Sequence, residues 1–240
     1  MEWRLLKPYI ISGSILGFGW LTLFYGYKHT SISSTVILYN MCPVYVMIAA
    51  PLLLKEAISK IQIAVVFFSF LGLVLIVGQN LSEGYGYLGM ALSAVSGMLY
   101  ATIILINRSI KSRVDNQTGT FVQISAAMIV LLPFVLAEGD ISTIRDLDAA
   151  AVIYTILLGV LHTGIVYTIF FSLTTQMRSV EIVLYSYLEP LFGILFSVIF
   201  IGEKLTVLQI IGGTLILGST FIGEILKNKK KPALPSAMQT

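Results

Sequence analysis

The chain reads as a succession of long apolar runs divided by short polar breaks. A bilayer core of about 30 Å takes roughly 20 apolar residues per helix. Eight runs of about that length follow one another: Pro8–Tyr27, Ser31–Leu54, Ile58–Gln79, Tyr85–Asn107, Gly119–Ala137, Ala149–Leu173, Ser179–Ile201 and Leu205–Leu226, here spans A to H. Breaks such as Lys28–Thr30, Lys55–Glu56 and Gly202–Lys204 are too short to separate soluble domains. The pattern predicts an all-α integral membrane protein with about eight transmembrane helices.

A second pattern lies on top of the first. Gly17–Ile76 aligns without a gap on Gly164–Gly223, a constant offset of 147 positions. Gly17, Phe24, Val36, Pro43, Glu56, Gln62 and Ile63 meet Gly164, Phe171, Val183, Pro190, Glu203, Gln209 and Ile210. Proline, glutamate and glutamine match as well as aliphatic residues, so the likeness exceeds what two apolar helices share. Equivalent spans are five places apart in the order, an odd number. The two copies therefore stand upside down relative to each other, as an inverted repeat. Spans D to H make a five-helix unit; spans A to C match only F to H. The expected organisation is a partial first repeat of three helices over 1–84, a complete second repeat of five over 85–226, and a basic, disordered tail over 227–240. Completing the first copy would take about 62 residues ahead of Met1, so the chain is read as either a truncated form or a natural eight-span variant.

Charge fixes an orientation. With the N-terminus inside, twelve of the fifteen Lys and Arg residues fall on inner segments: Arg4, Lys7, Lys55, Lys60, Arg108, Lys111, Arg113, Arg178 and four tail lysines. Lys28, Arg145 and Lys204 fall outside. The asymmetry predicts a multi-pass protein of the cytoplasmic membrane with both termini cytoplasmic. At 57% hydrophobic and 11% charged, the chain is too poor in charge to cover itself in water, where roughly 25% charged is usual. A net charge of +3 does not suggest nucleic acid. Cys42 has no partner for a disulfide. The sequence carries no nucleotide loop, His/Cys metal cluster or Ser-His-Asp arrangement, so no enzyme activity, cofactor or metal is expected.

Leu38–Pro43 with Leu53-Leu54-Lys55-Glu56 and Gly72, Leu188-Glu189-Pro190 with Ile201-Gly202-Glu203-Lys204-Leu205, and Gln209-Ile210-Ile211-Gly212-Gly213 with Gly218 form an ordered, doubled set. In this set the chain resembles the EamA-like family of the drug/metabolite transporter superfamily. That pattern has a proline in the fourth helix of each repeat, Gly-Glu-Arg/Lys at its end and a Gly-rich fifth helix. The second copy matches it; the first has Lys55 where the glycine would stand. The chain lacks the first two helices of the ten-helix pattern. The resemblance implies a cavity lined from spans A, B, D, F and G, and export of metabolites, amino acids or drugs.

Ionisable and polar residues at membrane depth are the candidates for such a cavity. Glu189 sits near the middle of span G, where a charge costs about 2.5–3.5 kcal/mol. It either binds a cationic group or carries a proton, or it locks helices together. His162 in span F lies at similar depth. Tyr185 shares a helix face with Glu189, four residues away, whereas Tyr187 points elsewhere. Tyr39 and Asn40 in span B, and Tyr100 in span D, complete the pathway set. Ser93, Ser96 and Gly97 read as helix packing. Trp20 and Tyr167 hold equivalent repeat positions. Pro43 and Pro190 are candidate hinges, each removing a backbone donor. Glu56 and Glu203 end spans B and G and read as capping or loop-pairing groups. Gly13, Gly17 and Gly212–Gly213 suggest close helix contacts, within the chain or in a homodimer.

Together these readings predict a secondary transporter of small molecules working by alternating access, with protons as a candidate coupling ion and the lipid bilayer as its surroundings. The competing expectation is a truncated, non-transporting membrane protein or partner subunit.

Overall fold

The computed structural model describes residues 3–78, 86–110, 114–138, 148–202 and 206–229. These are almost wholly helical. The chain forms α1 (Trp3–His29), α2 (Ile32–Tyr39), α3 (Cys42–Leu53), α4 (Lys60–Val77), α5 (Tyr87–Ser109), α6 (Asn116–Glu138), α7 (Ala149–Gln176), α8 (Ser179–Ser186), α9 (Leu188–Phe196) and α10 (Val207–Lys229). Five helical stretches among the described residues are long and apolar enough to cross a membrane: Trp3–His29, Ser34–Leu53, Tyr87–Ser109, Asn116–Ala137 and Ala149–Gln176. Lys60–Ile76 and Val207–Gly223 are shorter apolar helices. Glu203, Lys204, Arg145, Lys111 and the end of the tail lie outside the described residues.

Spans B and G differ from the expected continuous helices. Each breaks, and at the same repeat position. α2 covers 32–39 and α8 covers 179–186, so both ends keep the 147-residue offset. Pro43 and Pro190 then fall in the first turn of α3 and α9. Proline is tolerated there because the first-turn N–H groups have no intrahelical acceptor. The offset persists at the fifth helix of each unit. α4 begins with a capping box in which Ser59 and Gln62 exchange bonds. At α10, Thr206 N donates to Gln209 Oε1 at 2.8 Å and Gln209 N to Thr206 Oγ1 at 3.2 Å. Each box satisfies two orphan N–H groups.

Residues 147 apart also touch one another. Trp20 and Tyr167 meet edge to face with ring centroids 5.6 Å apart. The Tyr187 hydroxyl donates to the Asn40 carbonyl at 3.3 Å. A residue can touch its own symmetry mate only near a two-fold axis, so these contacts mark where the axis of the inverted repeat passes. The α4–α10 pair obeys the same operation. Ser69 bonds Ser219 at 2.9 Å, and the mate of that contact is the approach of Gly72 to Ile216.

Small residues set the close crossings. Gly13 lies against the backbone of Gln123 and Gly17 against that of Ala127, bringing α1 onto α6. A Cβ on Gly72 would sit 2.5 Å from the Gly212 carbonyl oxygen, and one on Gly212 would sit 2.5 Å from that of Gly72. The contacts expected at Gly13, Gly17 and Gly212 thus form within one chain.

α1 is clasped between α5 and α6. Ser12 Oγ donates to Asn107 Oδ1 at 2.9 Å, and Gln123 Nε2 donates to the same oxygen at 2.6 Å, joining all three helices. α7 is the repeat mate of α1 but has no such covering among the described residues: Ala149–Val166 contributes no buried residue there, and Tyr154, Leu158 and Leu161 form an exposed apolar face. At the start of α6, Asp115 accepts from Thr118 N at 2.9 Å, which holds its carboxyl below the ordinary value. That cap is present at neutral pH and is lost as acidification protonates the group.

Candidate functional site

A cavity of about 440 Å³ opens between α2, α5, α7, α8 and α9. Its polar groups are Glu189, His162, Tyr39, Tyr100, Tyr167, Tyr185 and Ser186. Five of the six sequence-named pathway residues therefore converge on one space from four spans. Glu189 reaches it because α8 stops at Ser186, leaving the carboxylate in the first turn of α9. A helix start favours negative charge, through the partial positive charge of its first-turn N–H groups. His162 reaches it from a π-helical stretch, Leu158–Val166, inside α7. Such wide turns are rare and frequently sit at functional sites. Nothing in the apolar pattern of span F signalled this turn; Gly159 and Gly164 inside it are the nearest hint.

Aromatic rings form the wall opposite. Tyr39 stacks on Tyr100 at 5.5 Å between centroids, and Tyr100 stacks on Phe170 at 6.0 Å. Tyr167 meets Phe170, Phe171, Trp20 and His162 edge on. Phe170, Leu173, Met177 and Ile182 also line the space and were not named from sequence. Their chemistry is ordinary for an apolar helix, so only packing distinguishes them.

Asn40 takes another place. Its side-chain Nδ2 donates to the Val36 carbonyl at 2.9 Å, closing the end of α2, and its own carbonyl receives the Tyr187 hydroxyl. Tyr187 is fully buried while Tyr185 opens to the cavity. Pro43 is buried at the start of α3; the side chain of Pro190 lies outside the described residues. The serines of α5 are consumed by packing. Ser93 donates to the Gly89 carbonyl at 2.7 Å and Ser96 to the Gly19 carbonyl at 2.8 Å.

The ends of α5, α7 and α8 are tied together at Glu56. Glu56, in the loop after α3, accepts from Arg108 Nε at 3.2 Å and from Ser179 N at 3.2 Å. Arg108 Nη1 donates to the Thr175 carbonyl at 2.9 Å. A single carboxylate thus caps α8 and holds the ends of α5 and α7 together. Removing it leaves a half-buried guanidinium and an orphan N–H, at a cost of about 1–3 kcal/mol. Glu56→Ala is expected to speed labelling of the buried Cys42, the one cysteine, by a membrane-permeant maleimide at least tenfold. An unchanged labelling rate would show that Glu56 does not hold these ends together.

The EamA-like transporter family model matches residues 2–78 and 86–223. The chain belongs to the EamA-like transporter family. Among similar family proteins is "Uncharacterized transporter YxxF" of Bacillus subtilis (strain 168), 28% identical over 207 residues, covering 85% of this chain and 65% of the relative. An "Uncharacterized transporter" of Archaeoglobus fulgidus is 28% identical over 226 residues, covering 92% of this chain and 76% of that protein. The chain thus spans about two thirds to three quarters of these EamA-like relatives. A solved structure titled "Crystal structure of protein" superposes with a TM-score of 0.80 at 16% identity, over 97% of this chain and 79% of that one. At that identity the likeness is one of fold.

Proposed function

We propose that this EamA-like protein is a secondary transporter of small amphipathic metabolites that bear a cationic group, working by alternating access and coupled to protons through Glu189. The observation that carries the reading is the meeting of one carboxylate, one imidazole and a stacked aromatic wall in one 440 Å³ cavity. A carboxylate at membrane depth attracts either a proton or an organic cation, and the two compete for it. Aromatic faces within about 6 Å of such a cation add roughly 0.5–2 kcal/mol. The two units, 1–84 and 85–226, rock about the axis near Trp20–Tyr167 and Asn40–Tyr187, and the breaks before Pro43 and Pro190 serve as hinges. The tie at Glu56 then belongs to a state sealed on the cytoplasmic side, and export is the working direction.

The test is flux in proteoliposomes with an imposed pH gradient, screened over amines, amino acids and nucleosides. A gradient-driven flux of an amine supports the reading; flux indifferent to the gradient removes proton coupling.

A second reading has one observation in its favour, the face of α7 left uncovered among the described residues. On this reading the chain is a partner subunit, and two further helices cover α7 as α5 and α6 cover α1. Flux from this chain alone would dismiss it.

A further inference from the structure

A small cavity, of about 10 Å³, lies where α1, α5, α6 and α7 meet and shares no described lining residue with the one around Glu189. Tyr9, Asn107, Thr120, Gln123, Phe171 and Thr175 are among the residues that line it. Asn107 and Gln123 are 2% and 1% exposed. Both belong to the network with Ser12, and that network does not use them up. Asn107 Oδ1 accepts from Ser12 Oγ and from Gln123 Nε2, and Gln123 Nε2 also reaches Ser12 Oγ at 3.1 Å. The other half of each amide is left over. Asn107 Nδ2 and Gln123 Oε1 are buried with no hydrogen-bond partner among the described residues.

Buried polar groups are paired as a rule, since an unmade bond leaves the loss of solvent uncompensated. What is left over here is one N–H donor group and one carbonyl acceptor. The balance does not depend on which way the amides face. Turning both over makes Gln123 the donor and Asn107 the acceptor, while turning one over sets like atoms against each other at 2.6 Å. An occupant must therefore accept and donate at once. A cation would face the N–H group and an anion the carbonyl oxygen. Among the described residues, none that lines the cavity carries a formal charge. The volume holds about one water-sized sphere. The walls offer a third bond. The Thr120 hydroxyl donates to the Asn116 carbonyl at 2.8 Å and the Thr175 hydroxyl to the Ser172 carbonyl at 2.8 Å, so both hydroxyl oxygens keep lone pairs with which to accept.

We infer that one ordered water occupies this cavity, accepting from Asn107 Nδ2 and donating to Gln123 Oε1 and to the hydroxyl oxygen of Thr120 or Thr175. Three bonds are typical of a buried water, and ordering one costs less than leaving two buried polar atoms unpaired. The water would complete the joint among α1, α5 and α6 at the point where α7 covers it. The site adjoins the tie at Glu56, because the Thr175 carbonyl receives Arg108 Nη1 and Arg108 follows Asn107 in α5.

The test is X-ray hydroxyl-radical footprinting of the full chain, in which radicals made from a bound water oxidise the side chains around it. Tyr9 lines the cavity; Tyr187, a tyrosine buried in another cluster, is the control. Tyr9 is expected to be oxidised at least fivefold faster than Tyr187. Gln123→Met, which keeps length and removes the acceptor, is expected to slow oxidation of Tyr9 at least threefold. A crystal structure of the unaltered protein, fine enough to show waters, decides the matter even if that variant does not fold. One peak is expected within hydrogen-bond distance of both amides. No such peak, or a peak that thallium replaces with an anomalous signal, would overturn the site. So would equal oxidation of Tyr9 and Tyr187, or undiminished oxidation of Tyr9 in folded Gln123→Met.

Discussion

Glu189→Gln is expected to lower pH-gradient-driven flux at least tenfold while leaving the protein folded and downhill exchange of substrate measurable. The argument rests on placement. A carboxylate at this depth costs about 2.5–3.5 kcal/mol against a neutral residue. Here it stands in the first turn of α9 and opens into a cavity with His162 on the opposite helix. Glutamine keeps the volume and one carbonyl oxygen but cannot take up or release a proton. If Glu189 only locked helices together, glutamine would serve nearly as well and the gradient dependence would survive. Survival would remove Glu189 from the coupling step. A melting curve matching the unaltered protein keeps the comparison fair. His162→Gln is the companion measurement: a changed pH profile with intact gradient dependence would assign the imidazole to substrate contact rather than coupling.

The largest stability effect is expected at Gly72. α4 packs chiefly along α10, and the two backbones meet where Gly72 and Gly212 face each other's carbonyl oxygens. A leucine at Gly72 must push α10 away. That would unpack the cluster of Leu73, Ile76, Ile216 and the buried ring of Tyr187. Overpacking of this kind costs typically about 1–3 kcal/mol. Gly72→Leu should therefore lower the unfolding midpoint of the detergent-solubilised protein, and Gly212→Leu should do the same. Since both act on one contact, the double variant should lose less than the sum. Gly218→Leu is the control: a Cβ there meets nothing within 4 Å. If Gly72→Leu melts no earlier than Gly218→Leu, the close crossing is not what holds α4 to the bundle. Because Tyr187 bridges this cluster to Asn40, loosening α4 should also raise maleimide access to Cys42, a few residues beyond that break.

Several features of the candidate cavity were legible before any packing was known. Glu189 and His162 announce themselves because an ionisable group in an apolar run carries a penalty that ordinary folding does not require. Tyr185 follows from its spacing to Glu189. Asn40 announces itself by the same logic, yet its amide satisfies the Val36 carbonyl one turn back and never faces the cavity. A short polar side chain can meet its need locally, so depth alone does not aim it. Phe170, Leu173, Met177 and Ile182 carry no signal, because a cavity-lining apolar residue and a lipid-facing one look alike in sequence. The Ser12–Asn107–Gln123 network was missed for a related reason. Its members sit on three different helices, and none is unusual on its own.

What the sequence determined alone was periodic and additive. Apolar length set the spans, since the bilayer acts on each segment separately. The offset of 147 positions set the repeat, with spans C and H starting at the paired positions Ile58 and Leu205. Tertiary structure decided what depends on two elements at once. It decided that spans B and G break before their prolines, because a first-turn proline needs no acceptor while an interior one leaves a carbonyl unpaired. It decided that Trp20 meets Tyr167 and Asn40 meets Tyr187, because only an axis through the bundle can bring symmetry mates into contact. It decided that Glu56 caps α8 rather than its own helix. Hydrophobic burial is satisfied by many arrangements of apolar helices; hydrogen bonds and glycine crossings are satisfied by few, and those selected this one.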